Sequence, residues 1–222
     1  MEYINGKAIT EWGALFVSFC ASLPVFTRTM IENDLSHVIQ STEIKPRTMN
    51  LILIFENDDD MSKFATDISN NPFIVDTGDG FIYDCVLSNI IDPTHIGRGV
   101  YEATFVLSTI KKKNMITVTP SGMSYKFNVE GNYKAEAIYE ISSTEDVSSV
   151  TVDGYTINNL KAGDTFVLDG IDKLIYRKSA PDVSAFDDTD ITVFPKLQPG
   201  EHLYNCSRDK VSTVIKYYPT YM

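Results

Sequence analysis

Positive charge, tryptophan, histidine and cysteine are all scarce in this 222-residue chain, and each shortage removes a class of function. Only 19 Lys and Arg stand against 30 Asp and Glu, for a net charge of −11. The deficit is shared: the residues before Met115 carry −6 and those from Met115 onward −5. Polyphosphate chains are held by Lys/Arg surfaces, so tight nucleic-acid binding is not expected. An acidic wall would instead let DNA slide past without adhering. The three cysteines, Cys20, Cys85 and Cys206, lie far apart with no CxxC and no neighbouring histidine. They read as buried small hydrophobes of a protein made in a reducing compartment, which leaves neither a disulfide framework nor a zinc site. No long apolar run occurs. The longest, about Ala14 to Phe26, is broken by Ser18, Ser22 and Pro24 and is too short to cross a bilayer. Met1-Glu2-Tyr3 has no cationic stretch leading into an apolar one, so neither an export signal nor a membrane anchor is expected.

Catalytic constellations are equally thin. His37, His95 and His202 are isolated from one another and from any nucleophile motif, and they read as surface or structurally satisfied residues. No GxSxG, HExxH, P-loop or strand-linked GxGxxG is present. A glycosidase needs two acids roughly 5 to 9 Å apart across a sugar cleft, a geometry no linear spacing establishes. Asp58-Asp59-Asp60 fits the start of a helix better than a calcium loop. Asp187-Asp188-Thr189-Asp190 offers carboxylates for a hard cation but lacks the spaced D-x-D-x-D-G frame, and reads as a solvated turn. No catalytic, cofactor-binding or metal-binding residue is therefore assigned, and the chain is not expected to be an enzyme.

What the sequence does have is β-forming material: 12 Phe, 12 Tyr and many Val, Ile and Thr. Arg47 to Asn57, RTMNLILIFEN, reads as a strand buried on both faces. Met61, Phe64, Ala65 and Ile68 then fall at i, i+3, i+4 and i+7, one face of a helix started by the acidic cluster and stopped at Asn70-Asn71-Pro72. Phe73 to Val75, the turn text Asp76 to Gly80 and Phe81 to Ile91 make a hairpin, and Val100 to Ile110 alternates as a further strand. Lys111-Lys112-Lys113-Asn114 marks a boundary. Beyond it short alternating runs follow: Tyr125, Phe127, Val129; Ala135, Ala137, Tyr139, Ile141; Val150, Val152; Phe166, Leu168; Leu174, Tyr176. Turn signals at Gly131-Asn132, Asp153-Gly154, Ala162-Gly163-Asp164 and Asp169-Gly170 separate them, the pattern of a sandwich or barrel. Ser179 to Asp190 reads as a loop.

The most specific text is the segment VFPKLQPGEHLYNCSRDKVSTVIKYYPTYM from Val193. Phe194-Pro195-Lys196-Leu197-Gln198-Pro199-Gly200 forms an aromatic-Pro-x-Leu-x-Pro-Gly turn. Strands at His202 to Cys206 and Val211 to Tyr218 follow, then Pro219 and Tyr221. Together with VTVDGYTINNL-KAGD-TFVLDG (Val150 to Gly170), and more loosely with Tyr3 to Ile9, this resembles the distal tail proteins of siphovirus-type bacteriophages. The good matches cover about half of the chain. Pro195 and Pro199 fix φ and Gly200 permits a tight turn, so a long final hairpin is expected.

The resemblance implies a mainly β protein. Met1–Lys113 would be a ring-forming N-terminal domain, a tail-tube-like β-sandwich with one α-helix. Asn114–Met222 would be a C-terminal galectin-like β-sandwich. It further implies a homo-hexameric ring at the virion tail tip, joining the tail tube protein to the baseplate hub or a tail-associated protein. DNA would pass through its lumen without specific binding, and receptor-binding proteins could be carried outside. Ring contacts would come from edge strands around Ile74 to Val86 or from an irregular stretch, Arg28 to Pro46. A carbohydrate- or receptor-binding module is the alternative, because β-sandwiches also bind sugars.

Overall fold

The computed structural model describes residues 2–21, 25–33 and 36–222, with side chains described outside 21–45. The chain forms two compact units, Met1–Lys113 with Tyr221–Met222, and Asn114–Thr220. Each has its own apolar core.

The first unit contains β1 (Tyr3–Ile4), β2 (Lys7–Ala8), β3 (Ala14–Ala21), β4 (Val25–Asn33), β5 (Ser36–Lys45), β6 (Arg47–Phe55), α1 (Asp58–Ser69), β7 (Phe73–Asp76), β8 (Ile82–Gly97) and β9 (Val100–Lys112). Its main sheet runs β2-β1-β7-β8-β9-β6-β3, antiparallel at every pairing. Asn57 supplies the N-cap of α1, its Oδ1 accepting from the Asp60 N–H at 2.8 Å, while Asp58, Asp59 and Asp60 place negative charge in the first turn. The cap is thus the residue just before the acidic triplet. Met61, Phe64 and Ile68 turn inward, and Phe64 meets Trp12, Phe55 and Phe105 with ring centroids 5.5, 5.6 and 5.1 Å apart. These mixed edge and tilted contacts fasten the helix to one face of the sheet.

Three expectations need correction here. On β6 only one face is fully buried: Met49, Leu51, Leu53 and Phe55 point to the core, whereas Asn50 is exposed and Ile52 and Ile54 are half-buried. The helix covers a single side, so the apolar run does not imply two buried faces. The strand expected to end at Ile110 runs on through Lys111 and Lys112 of β9, with the Lys111 ammonium 3.6 Å from the centre of the Phe81 ring. The described part of the stretch expected to be irregular, Arg28 to Pro46, is regular over 28–33 and 36–45, since β4 and β5 form an antiparallel ladder with one bulge at Thr29/Met30. Ser22 and Pro24, which break the apolar run, lie outside the described residues.

The second unit contains β10 (Ile116–Val118), β11 (Ser124–Val129), β12 (Ala135–Ser143), β13 (Val147–Val152), β14 (Tyr155–Leu160), β15 (Thr165–Asp169), β16 (Leu174–Arg177), β17 (Ala180–Ser184), β18 (Lys196–Leu197), β19 (Gly200–Asn205) and β20 (Val211–Tyr217). One sheet has the order β10-β20-β12-β15-β16-β17, and the ladders β11-β19 and β13-β14 complete the core. Alternation holds along β12, where Ala135, Ala137, Tyr139 and Ile141 are all buried. Asp153 and Gly154, with φ of 47° and 85°, make the two-residue turn between β13 and β14, the left-handed pair that such a hairpin requires. Gly170 has a different reason. A Cβ there would lie 2.5 Å from the Pro195 carbonyl oxygen and 2.6 Å from that of Ala137, so the backbone approach excludes any side chain.

Here too the sequence misleads in places. β19 and β20 are not a hairpin: β19 pairs with β11, whereas β20 pairs with β10 and β12 in the other sheet. The connecting residues cross from one layer to the other, and the Tyr204 and Thr213 hydroxyls, 2.7 Å apart, join the two strands through the core. On β16 the inward residue is Ile175, so Leu174 and Tyr176 face away from the core. The stretch 179–190 is not a plain loop; it contains β17 and a short 3-10 turn, Phe186–Asp188.

Candidate interaction surfaces

Several side chains capable of chemistry are engaged in holding the fold. Asp153 is the clearest case. Its carboxylate accepts from the Tyr139 hydroxyl at 2.8 Å and from the Asn205 N–H at 2.7 Å, and it lies 2.9 Å from His202 Nε2. Burial, then the Asp153 charge, push the Tyr139 hydroxyl far above the ordinary tyrosine range. The turn residue thereby ties β12, β13 and β19 together. His95 accepts from the Gly99 N–H at 3.2 Å and packs on Tyr101. The side chain of His37 lies outside the described residues.

Asp188, in the acidic run considered for calcium, is held by Arg177 at 2.9 Å, and Arg177 also reaches Asp164 and the carbonyls of Asn158 and Asn159. The Arg177 guanidinium holds the Asp188 carboxyl below the usual carboxylate range. Thr189 is buried and donates to the Thr156 carbonyl. The run is thus a structural clasp. Among the described residues no group of three or more His, Cys, Asp or Glu converges as a metal site. Cys85 and Cys206 are buried, but Cys20 is exposed on β3, contrary to the uniform burial expected. No helix among the described residues is long and apolar enough to cross a membrane.

What the first unit offers instead is open sheet edge. β7, within the 74–86 region expected to supply an edge, is flanked by β1 and β8 and is therefore interior. Asn5 closes it further, its N–H donating to the Ile74 carbonyl and its Oδ1 accepting from the Ile74 N–H. Free edges lie on β3 and on β8 from Val86, the last residue of that region, onward. β3 ends the strand order, with Leu15 and Val17 exposed. β8 outruns β7: its pairing with β7 stops at Cys85, and among the described strands the stretch from Val86 to Ile96 pairs only with β9. Val86, Ile90, Ile91 and Ile96 are exposed along it, Val86 at 51%. Unpaired N–H and C=O groups beside exposed apolar side chains are a template for another strand. On the sheet face away from α1, β6 and β9 place Thr48, Asn50, Ile52, Glu102, Thr104 and Ser108 in register, a surface with little charge and no central lysine or arginine.

The architecture is shared with solved Dit and baseplate proteins of bacteriophages. The Dit (gp 19.1) protein of phage SPP1, described as a paradigm of the hub adsorption apparatus in phages infecting Gram-positive bacteria, superposes with a TM-score of 0.77 at 9% identity, over 100% of this chain and 98% of that one. Two chains of the phage p2 baseplate in its activated conformation, with Sr and with Ca, give TM-scores of 0.53 and 0.52 at 11% and 12% identity, each over 94% of this chain and 91% of its own length. No protein-family model and no curated protein sequence matches the chain. At these identities the likeness is one of fold.

Proposed function

We propose that the chain is a distal tail protein: a non-enzymatic virion component that forms a hexameric ring at the tail tip, between the tail tube and the baseplate hub, around the DNA passage. The observation that carries this reading is the end-to-end superposition on SPP1 Dit, which includes both units and leaves almost nothing of either chain over. The first unit supports it independently. β3 and the outer half of β8 are different edges of one sheet, so joining one to the other on a neighbour is a heterologous contact, the kind that repeats around a ring. The face of that sheet away from α1 suits a passage for DNA because, among the described residues, its centre on β6 and β9 carries no lysine or arginine that would hold phosphate.

Negative-stain images and mass photometry of the purified chain, alone and with its tail-tube partner, test the proposal. Six-fold rings with a central hole are expected. Leu15→Asp and Val86→Asp should abolish them while leaving the circular dichroism spectrum unchanged. Rings of another symmetry, or rings indifferent to both substitutions, would overturn the hexamer or the edge contact respectively.

A further inference from the structure

The second unit carries an open edge of its own. β17 ends its sheet, and no described strand pairs with its outer side. Its ladder to β16 is irregular, with Tyr176 opposite Ser184 and Arg177 opposite Ala180, so that residues 181–183 bulge outward. Beside the bulge lies a cavity of about 230 Å³ lined by Leu174, Tyr176, Pro181, Val183, Phe186 and Phe194. Of the seven exposed large apolar side chains in this unit, Leu174, Val183 and Phe186 all meet here, Val183 64% and Phe186 52% exposed. Val193, equally exposed, precedes Phe194. Such clustering marks an interaction site.

We propose that this edge docks an extended peptide segment of a protein partner, which adds a strand to β17 and seats one apolar side chain in the cavity. Size favours an anchor residue over a small molecule, since the cavity falls below the roughly 300–1,000 Å³ of typical small-molecule sites. Two of the polar groups at the cavity are already engaged and so offer little to a sugar. Lys173 is taken by Glu136 and the Gly170 carbonyl, and the Ser184 hydroxyl accepts from the Phe186 N–H. Strand addition uses what remains: backbone groups for affinity, a pocket for specificity. Asp182 forms no ion pair with any described residue and stands on the bulge at the rim. It selects a basic residue next to the anchor in the incoming segment. The site is built from the second unit alone and does not depend on ring formation by the first.

The test is a selection of short random peptides displayed on phage against the full-length chain, followed by titration of the enriched sequences as labelled synthetic peptides. Enrichment of one aliphatic or aromatic residue flanked by Lys or Arg is expected. Losing the anchor contact should weaken binding about tenfold or more in Val183→Asp and in Phe186→Ser. Asp182→Lys should reverse the preference for a basic flank, and Leu203→Asp, exposed on β19, should change nothing. Circular dichroism of each variant separates lost binding from lost fold, and Val183→Asp, on the exposed bulge, serves if Phe186→Ser disturbs the turn. Failure to enrich, or enriched peptides that bind all variants alike, overturns the proposal. So does a glycan panel that binds through Phe186, or self-association through β17 abolished by Val183→Asp, since each names a different occupant.

Discussion

Replacing Asp153 isolates what the second unit gains from its most connected side chain. In Asp153→Ala the carboxylate that serves Tyr139, His202 and Asn205 disappears, and the Tyr139 hydroxyl is left without its acceptor in a buried position. Hydrogen bonds to a charged group contribute about 1.5–3 kcal/mol each, but their losses overlap, so a total of about 3–5 kcal/mol is expected. Alanine also sits poorly at φ 47°, which adds about 1 kcal/mol. Asp153→Asn keeps the turn and one acceptor oxygen, and should cost only about 1–2 kcal/mol. The sole tryptophan, Trp12, lies in the first unit and provides an internal control. Urea unfolding followed by circular dichroism should show an earlier transition in Asp153→Ala that is silent in Trp12 fluorescence. A change below about 0.5 kcal/mol, or one that moves the Trp12 transition equally, would refute the clamp.

Further expectations follow from the same contacts. Burial raises the Glu140 carboxyl, but bonds from Lys216 and Lys178 outweigh it and hold the group below its ordinary value. A depressed carboxyl contributes stability that is complete above its unfolded pKa and is lost as pH falls through the folded one. Acid unfolding of the second unit should therefore begin below about pH 4, and Glu140→Gln should flatten it in a pH series of melts. Gly170→Ala, meeting two carbonyl oxygens, should cost on the order of 3 kcal/mol in thermal unfolding, whereas Gly163→Ala, with open space but φ 76°, should cost only about 1–2 kcal/mol. An aromatic disulfide reagent should titrate one thiol per native chain, Cys20. Burial pushes the Cys85 thiol up to about 12, and Cys206 is likewise buried, so both should react only after denaturation.

Local signals in the sequence proved legible and non-local ones did not. The helix could be read because Met61, Phe64 and Ile68 repeat its period and Asn70-Asn71-Pro72 ends it. The Asp153-Gly154 hairpin could be read because two adjacent positive-φ positions leave few other residues possible. Face alternation was also right along β9 and β12. The choice of partner was not, because the text of β19 and β20 is equally compatible with a hairpin and with a crossing between layers. In Leu174-Ile175-Tyr176 three successive apolar residues conceal which faces the core, and that ambiguity hid the cavity beside β17. The open edges of β3 and β8 are properties of strand order, which depends on pairing between residues far apart in the chain.

The position of β20 has a consequence for biosynthesis. Because residues 211–217 lie between β10 and β12 rather than at a margin, a nascent second unit has a gap in its larger sheet until they leave the ribosome. Until then both flanking strands have unsatisfied ladders, a condition that invites pairing between neighbouring nascent chains on one message. Production of this protein should accordingly be more sensitive to premature termination before residue 211 than to changes of comparable size elsewhere, with truncated chains recovered as aggregates.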